Sequence, residues 1–167
     1  MSYLERFHRL SPNTAQSYYD FLLFPHYQKD KKLIEKIQRR FTRMVPGLRE
    51  VAYESRLKTL KLWSLEHRRV RADLTEVFKM FQGLSIVDIN TFFELDSTGR
   101  TRGHCLKLKK GRVATDLRQH FFSERIVNIW NRLEPSIVES SSLNIFKSKL
   151  QSLHDKDESL FGQYLSY

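Results

Sequence analysis

The sequence predicts a mainly helical protein: about five amphipathic helices around one core, with a small basic β-hairpin between the third and fourth. Three observations carry this. Apolar residues recur at spacings of three and four over several long stretches, the period of a helix buried along one face. Helix stop signals close those stretches at Pro46-Gly47, Gly83 and Glu134-Pro135. One stretch, around Leu106 and Leu108, alternates instead with period two. With 167 residues, 40% hydrophobic and 13% aromatic, the chain has material for one core and is not disordered throughout.

Residues 1–17 carry little pattern beyond a turn at Ser11-Pro12-Asn13 and read as a loosely held arm. Tyr18, Tyr19, Phe21, Leu22, Leu23 and Phe24 form an aromatic-aliphatic cluster, ended by Pro25, that reads as core packing. Residues Phe21 to Phe24 are the longest apolar run, far short of the ~20 residues of a membrane span, so no membrane partner is expected. Glu5 and Arg6 interrupt the place where a signal peptide carries its apolar stretch. Cys105 is the only cysteine, which excludes an internal disulfide and a cysteine-rich zinc module. A reducing compartment, cytoplasm or nucleus, is the expected location.

The first helix spans residues 31–45. Leu33, Ile34, Ile37, Phe41 and Met44 share one face, expected to turn inward. On the other side Lys32, Lys36, Arg39 and Arg43 step by four, three and four into a cationic row, with Glu35 the only acid among these residues. A shorter helix over 50–60 places Val51, Leu57 and Leu60 inward. The third starts at Ser64 as N-cap, with Glu66 in the first turn. Its stripe is His67, Val70, Leu74, Val77, Phe78 and Phe81, and Gly83 suits the C-terminal cap. Asp73 stands four residues from Arg69, a spacing that pairs them, and His67 reads as a packed or hydrogen-bonded histidine.

Residues 84–99 read as a short helix or turn and then a loop closing at Ser97-Thr98-Gly99. His104, Leu106 and Leu108 alternate with Cys105, Lys107 and Lys109, and Lys110-Gly111 can turn the chain toward Val113-Ala114-Thr115, giving the basic hairpin. A hairpin of two strands needs the helices to pack on. The fourth helix, 120–133, buries Phe122, Ile126, Ile129, Trp130 and Leu133, while Arg118, Arg125 and Arg132 repeat every seven residues, on a second shared face if the helix reaches back as far as Arg118. Ser141-Ser142 caps a last helix with Leu143, Phe146, Leu150 and Leu153 inward. The domain is thus placed at 18–153, with a frayed tail over 154–167.

The net charge of +10 is not uniform. Residues 31–82 carry fourteen basic groups against six acidic, and residues 100–132 nine against two. The intervening 83–99 has three acids and no base. Two basic blocks create local positive potential that attracts polyanions; the alternative is a solvated surface that keeps the protein in solution. The residues singled out for phosphate contact are Lys32, Lys36, Arg39, Arg43, Arg68, Lys107, Lys109 and Arg112. No phosphate-binding glycine loop and no nucleophile elbow is present. The six histidines form no metal pattern, and no paired carboxylates stand ready for Mg²⁺, so no cofactor and no catalysis by this chain alone is expected.

Six phrases in order carry a resemblance. They are Leu33-Ile34-Glu35-Lys36-Ile37-Gln38-Arg39-Arg40 with Met44-Val45-Pro46-Gly47-Leu48; Tyr53-Glu54-Ser55-Arg56-Leu57-Lys58-Thr59-Leu60; and Ser64-Leu65-Glu66-His67-Arg68-Arg69 with Asp73-Leu74 and Val77-Phe78-Lys79. Then come Arg102-Gly103-His104 with Leu106-Lys107-Leu108, the run from Phe121-Phe122-Ser123-Glu124 to Asn131-Arg132-Leu133-Glu134-Pro135, and Ser142-Leu143-Asn144-Ile145-Phe146-Lys147. Together, over roughly residues 20–153, they resemble the region after the polymerase palm in non-LTR retrotransposon reverse transcriptases of the jockey and chicken-repeat type. The resemblance implies the end of a thumb and the helical segment after it, which in such enzymes helps to hold template RNA and primer duplex. The catalytic acids of that family belong to the palm, so none carries over. The implied function is a non-catalytic fragment or remnant that binds RNA or RNA/DNA duplex through phosphates. The alternative is a helical module that docks on a palm or another protein through a former domain interface.

Overall fold

The computed structural model describes residues 28–96 and 103–156. The arm over 1–17, the cluster at 18–24, the close of the 84–99 loop and the tail beyond 156 lie outside the described residues. Five helices of seven residues or more order the described chain: α1 (Gln28–Arg43), α2 (Tyr53–Thr59), α3 (Leu65–Phe81), α5 (Phe122–Arg132) and α7 (Leu143–Lys156). Two four-residue turns of helix, α4 (Asp116–Gln119) and α6 (Pro135–Val138), and a 3₁₀ turn (Ile89–Thr91) fill the connections. The protein is mainly helical, as its periodicity predicts.

The core is built by α3, α5 and α7. Leu74, Val77 and Phe78 of α3, Ile126, Val127 and Trp130 of α5, and Phe146 and Leu150 of α7 are fully buried. Phe78 stacks on Phe146 with ring centroids 4.3 Å apart, and Phe81 stacks on Trp130 at 5.2 Å. Offset stacking of this kind adds to the area term. Local signals set the helix ends. The Ser64 hydroxyl accepts from the His67 amide at 3.2 Å, and Ser142 does the same for Ile145 at 3.3 Å. Gly83, at φ +66°, lets the Leu84 amide return to the Lys79 carbonyl at 2.8 Å and closes α3. The last helix runs on through a buried His154 to Lys156, beyond the boundary that the sequence pattern placed at 153.

Three expectations are corrected. The first concerns α1, whose apolar stripe points away from the described body: Leu33, Ile37, Phe41 and Met44 are 62%, 71%, 65% and 75% exposed. What faces the body is a polar seam at Lys31, Glu35, Gln38 and Thr42. Lys31 pairs with Glu66 at 2.9 Å, and the Gln38 amide donates to the Trp63 carbonyl at 2.9 Å. Glu35 accepts from the Tyr53 hydroxyl and from the Leu65 amide. Period 3.6 identifies an apolar face but not its partner, and here hydrogen bonds dock the helix by a different face.

The second correction is the hairpin. Among the described residues there is no strand; residues 103–109 bend at Gly103 and Cys105, and Leu108 makes one isolated antiparallel bridge with Leu95, upstream. The Asp96 amide donates to the Lys107 carbonyl and the Lys109 amide to the Glu94 carbonyl, each at 2.8 Å. Side chains of α5 bond three further groups of this backbone. The Asn131 side chain grips Leu108 at both its amide (2.8 Å) and its carbonyl (2.7 Å), and the Trp130 indole donates to the Leu106 carbonyl at 2.7 Å. With those groups satisfied, no return strand from 113–115 is required.

The third is the arginine register. Arg118, Arg125 and Arg132 do not share a helix face, because the chain breaks between α4 and α5. Arg118 stands 3.9 Å from Glu124, Arg125 turns inward, and Arg132 is exposed. Asp73, whose charge acts on Arg69 as the spacing predicts, also holds Arg125 across the α3–α5 interface with oxygens 2.8 and 3.1 Å from its guanidinium nitrogens. A nearly buried carboxylate on the core side of α3 meets the helix packed against it.

Candidate nucleic-acid interface

The seam between α1, α2 and the start of α3 opens into a groove of about 1310 Å³, closed at one end by the last turn of α7. Eight basic and four acidic side chains line it. Three of the acids are already engaged: Glu66 by Lys31, Glu35 by Tyr53 and Leu65, and Asp155 by Gln151. Lys32 and Lys36 of α1, Lys61 from the α2–α3 turn and Lys156 at the end of α7 have no ion pair among the described residues. Four unpaired ammonium groups from three parts of the fold therefore line one concave surface, and such a surface focuses positive potential.

The walls of the groove are themselves tightly bonded. Two guanidinium groups lie over the Tyr53 ring, Arg39 at 4.5 Å and Arg56 at 5.5 Å from its centroid. Burial, with the Glu35 carboxylate second, pushes the Tyr53 hydroxyl well above the ordinary tyrosine range, so it stays a donor. Arg56 is buried and donates to the Thr42 hydroxyl at 3.2 Å and to the Val51 carbonyl at 2.5 Å. At the other end Trp63 stacks on His154 at 3.8 Å and donates to Gln151 at 3.0 Å. His154 meets His67 at 3.0 Å between ring nitrogens, consistent with the expectation of a hydrogen-bonded His67. Burial also pulls the Arg69 guanidinium down, opposed by Glu66 and Glu35.

Lys61 has a backbone feature of its own. Its φ is +52°, the left-handed region that glycine favours, and it sits just past the α2 cap, where the Leu62 amide returns to the Leu57 carbonyl at 2.8 Å. A helix end of this kind normally takes glycine, because a Cβ there costs about 1 kcal/mol. The chain instead carries an ammonium group to the groove rim.

The eight residues predicted from sequence separate into groups. Lys32, Lys36 and Arg39 line the groove, while Arg43 lies beyond its end on the same helix, exposed. Arg68 is exposed on α3 outside the groove, and Arg112 is exposed in the 103–115 segment. Lys107 turns its ammonium to the Asn131 carbonyl at 2.9 Å. Lys109 pairs with Glu94 at 2.6 Å, and each shifts the other, Lys109 up and Glu94 down. The second basic block therefore does not join the first at this site. Sequence reasoning missed Lys58, Lys61 and Lys156, which share no helix face with the α1 row and enter the groove only through tertiary packing. Among the described residues no group of three metal-ligating side chains is present, and no helix is long and apolar enough to cross a membrane. No protein-family model, no curated protein and no solved structure matches the chain.

Proposed function

We propose that this chain is a non-catalytic nucleic-acid-binding module, of the kind found after the palm of a retrotransposon reverse transcriptase, that holds RNA or RNA/DNA duplex by its phosphates. The observation that supports the reading is the convergence of unpaired Lys32, Lys36, Lys61 and Lys156 on one groove. The aromatic walls argue for backbone contact rather than base stacking. Tyr53 is faced by guanidinium groups and Trp63 by His154, so neither ring is open to a base. Contacts of this type read no sequence. Four neutralised phosphates on a duplex give a slope of log affinity against log salt of about −3.6. Fluorescence anisotropy with RNA, DNA and hybrid duplexes measures it. Lys32→Glu with Lys36→Glu is expected to weaken binding at least tenfold. Salt-independent binding, or full affinity in this variant, would refute the reading.

A second reading, a helical module that docks on a polymerase palm or another protein, is favoured by one observation. Four large apolar side chains of α1 are more than half exposed on a single face, as expected of a surface that a partner covers.

A further inference from the structure

The outward face of α1 is ordered like one half of a helix pair. Ile34, Ile37, Phe41 and Met44 follow one another at steps of three, four and three, the seam spacing of two helices packed side by side. Leu33 extends the ridge, and α1 is 16 residues long, about 24 Å, enough for three turns of contact. Arg40 flanks the seam, with Lys29, Lys36 and Arg43 behind it along the same edge, all four exposed. None of the four has an ion pair among the described residues. The opposite edge, Gln38 and Thr42, is already held by Trp63 and Arg56.

We infer that this ridge receives an acidic amphipathic helix of another protein, its apolar stripe on Ile37, Phe41 and Met44 and its carboxylates along the Arg40 edge. The inference rests on the docking reading above and names the surface and the chemistry of the partner. Charge selects the occupant. A second copy would set one row of unpaired cations against another. An acidic helix neutralises the row and fills the ridge as a helix fills a groove.

The test uses the full chain and a fluorescein-labelled synthetic helix carrying leucines at positions i, i+3, i+4 and i+7 with flanking glutamates. Two control peptides have the same composition in scrambled order, or lysine for each glutamate. Anisotropy is expected to show the acidic amphipathic peptide binding at least tenfold more tightly than either control. Ile37→Asp with Phe41→Asp is expected to remove that binding at unchanged helical content by circular dichroism. If helical content falls, Ile37→Ser with Phe41→Ser is read in its place. The same variant is expected to keep duplex affinity within twofold, while Lys61→Glu weakens duplex binding and spares the peptide, so failure of this inference and failure of the phosphate reading are seen separately. Equal binding of the scrambled peptide, or full peptide binding by the variant, would overturn it. So would a concentration-dependent dimer in light scattering, or binding to phosphatidylserine vesicles, that the same variant abolishes.

Discussion

Two regions of this molecule are held together by different forces. The α3–α5–α7 unit buries apolar side chains on its facing surfaces, and a two-pronged polar link, Asp73 to Arg125, crosses it. The α1–α2 layer is docked by hydrogen bonds along Lys31, Glu35, Gln38 and Thr42, while its best apolar residues point outward. Apolar burial yields roughly 25 cal/mol per Å², whereas a hydrogen bond exchanged with water adds only about 1 kcal/mol. The difference teaches that the same amphipathic signal can build a core or present a surface. Stability is concentrated in one region and both proposed binding surfaces lie on the other.

The comparison can be broken most forcefully in the core. Trp130→Ala is expected to lower stability to urea by about 4 kcal/mol, in a single transition that melts both regions. Asp73→Ala leaves the part-buried Arg125 without that carboxylate and is expected to cost about 3 kcal/mol in the same assay. If either change left global stability intact, the core would not be the unit described. The α1 layer responds on a smaller scale. Thr42→Val removes the hydroxyl that the buried Arg56 needs and is expected to cost about 1 kcal/mol. Hydrogen exchange should show faster opening of α1 amides with those of α3 unchanged. Ile37→Asp is expected to stay within about 0.5 kcal/mol of the parent, because its side chain is exposed.

The smallest expected effect is pH-dependent. His104 is 3% exposed, with Nε2 against the Trp130 carbonyl at 3.0 Å and Nδ1 unpartnered. Burial holds its pKa below the ordinary 6.5, and nearby Lys107 acts in the same direction. The unfolded chain therefore takes up this proton first as pH falls. The stability contribution is complete above about 6.5 and declines as pH drops toward the folded value. His104→Gln should flatten the acid side of a urea-midpoint profile relative to the parent; parallel profiles would remove His104 as the cause.

Much of the fold was legible because local rules decide it. Ser64, Ser142 and Gly83 act as their types do at helix ends, and the stripe Phe122, Ile126, Ile129, Trp130 and Leu133 is buried throughout. The α1 stripe was legible as a stripe but not as a surface, since which face packs depends on Trp63, Glu66 and Arg56, distant in sequence. The 104–108 alternation is real, with His104 and Leu108 buried and Cys105 exposed. Its hydrogen-bonding partner, however, is the end of α5, which no period-two pattern announces. Two of the four groove cations without an ion pair, Lys32 and Lys36, were legible because a row on one helix shows in sequence, while Lys61 and Lys156 meet it only after folding.

Lys61 allows the phosphate reading to be tested against the pull of neutral change. Lys61→Gly is expected to raise stability by about 0.5 to 1 kcal/mol, because the left-handed turn then carries no Cβ. It should also weaken duplex binding, so folding and ligand ask for different residues at one site. In related chains freed from any ligand, drift should favour glycine or asparagine there; in chains still holding a polyanion, lysine or arginine should persist despite its cost. A handful of relatives compared at this position would thus show whether the groove is in use.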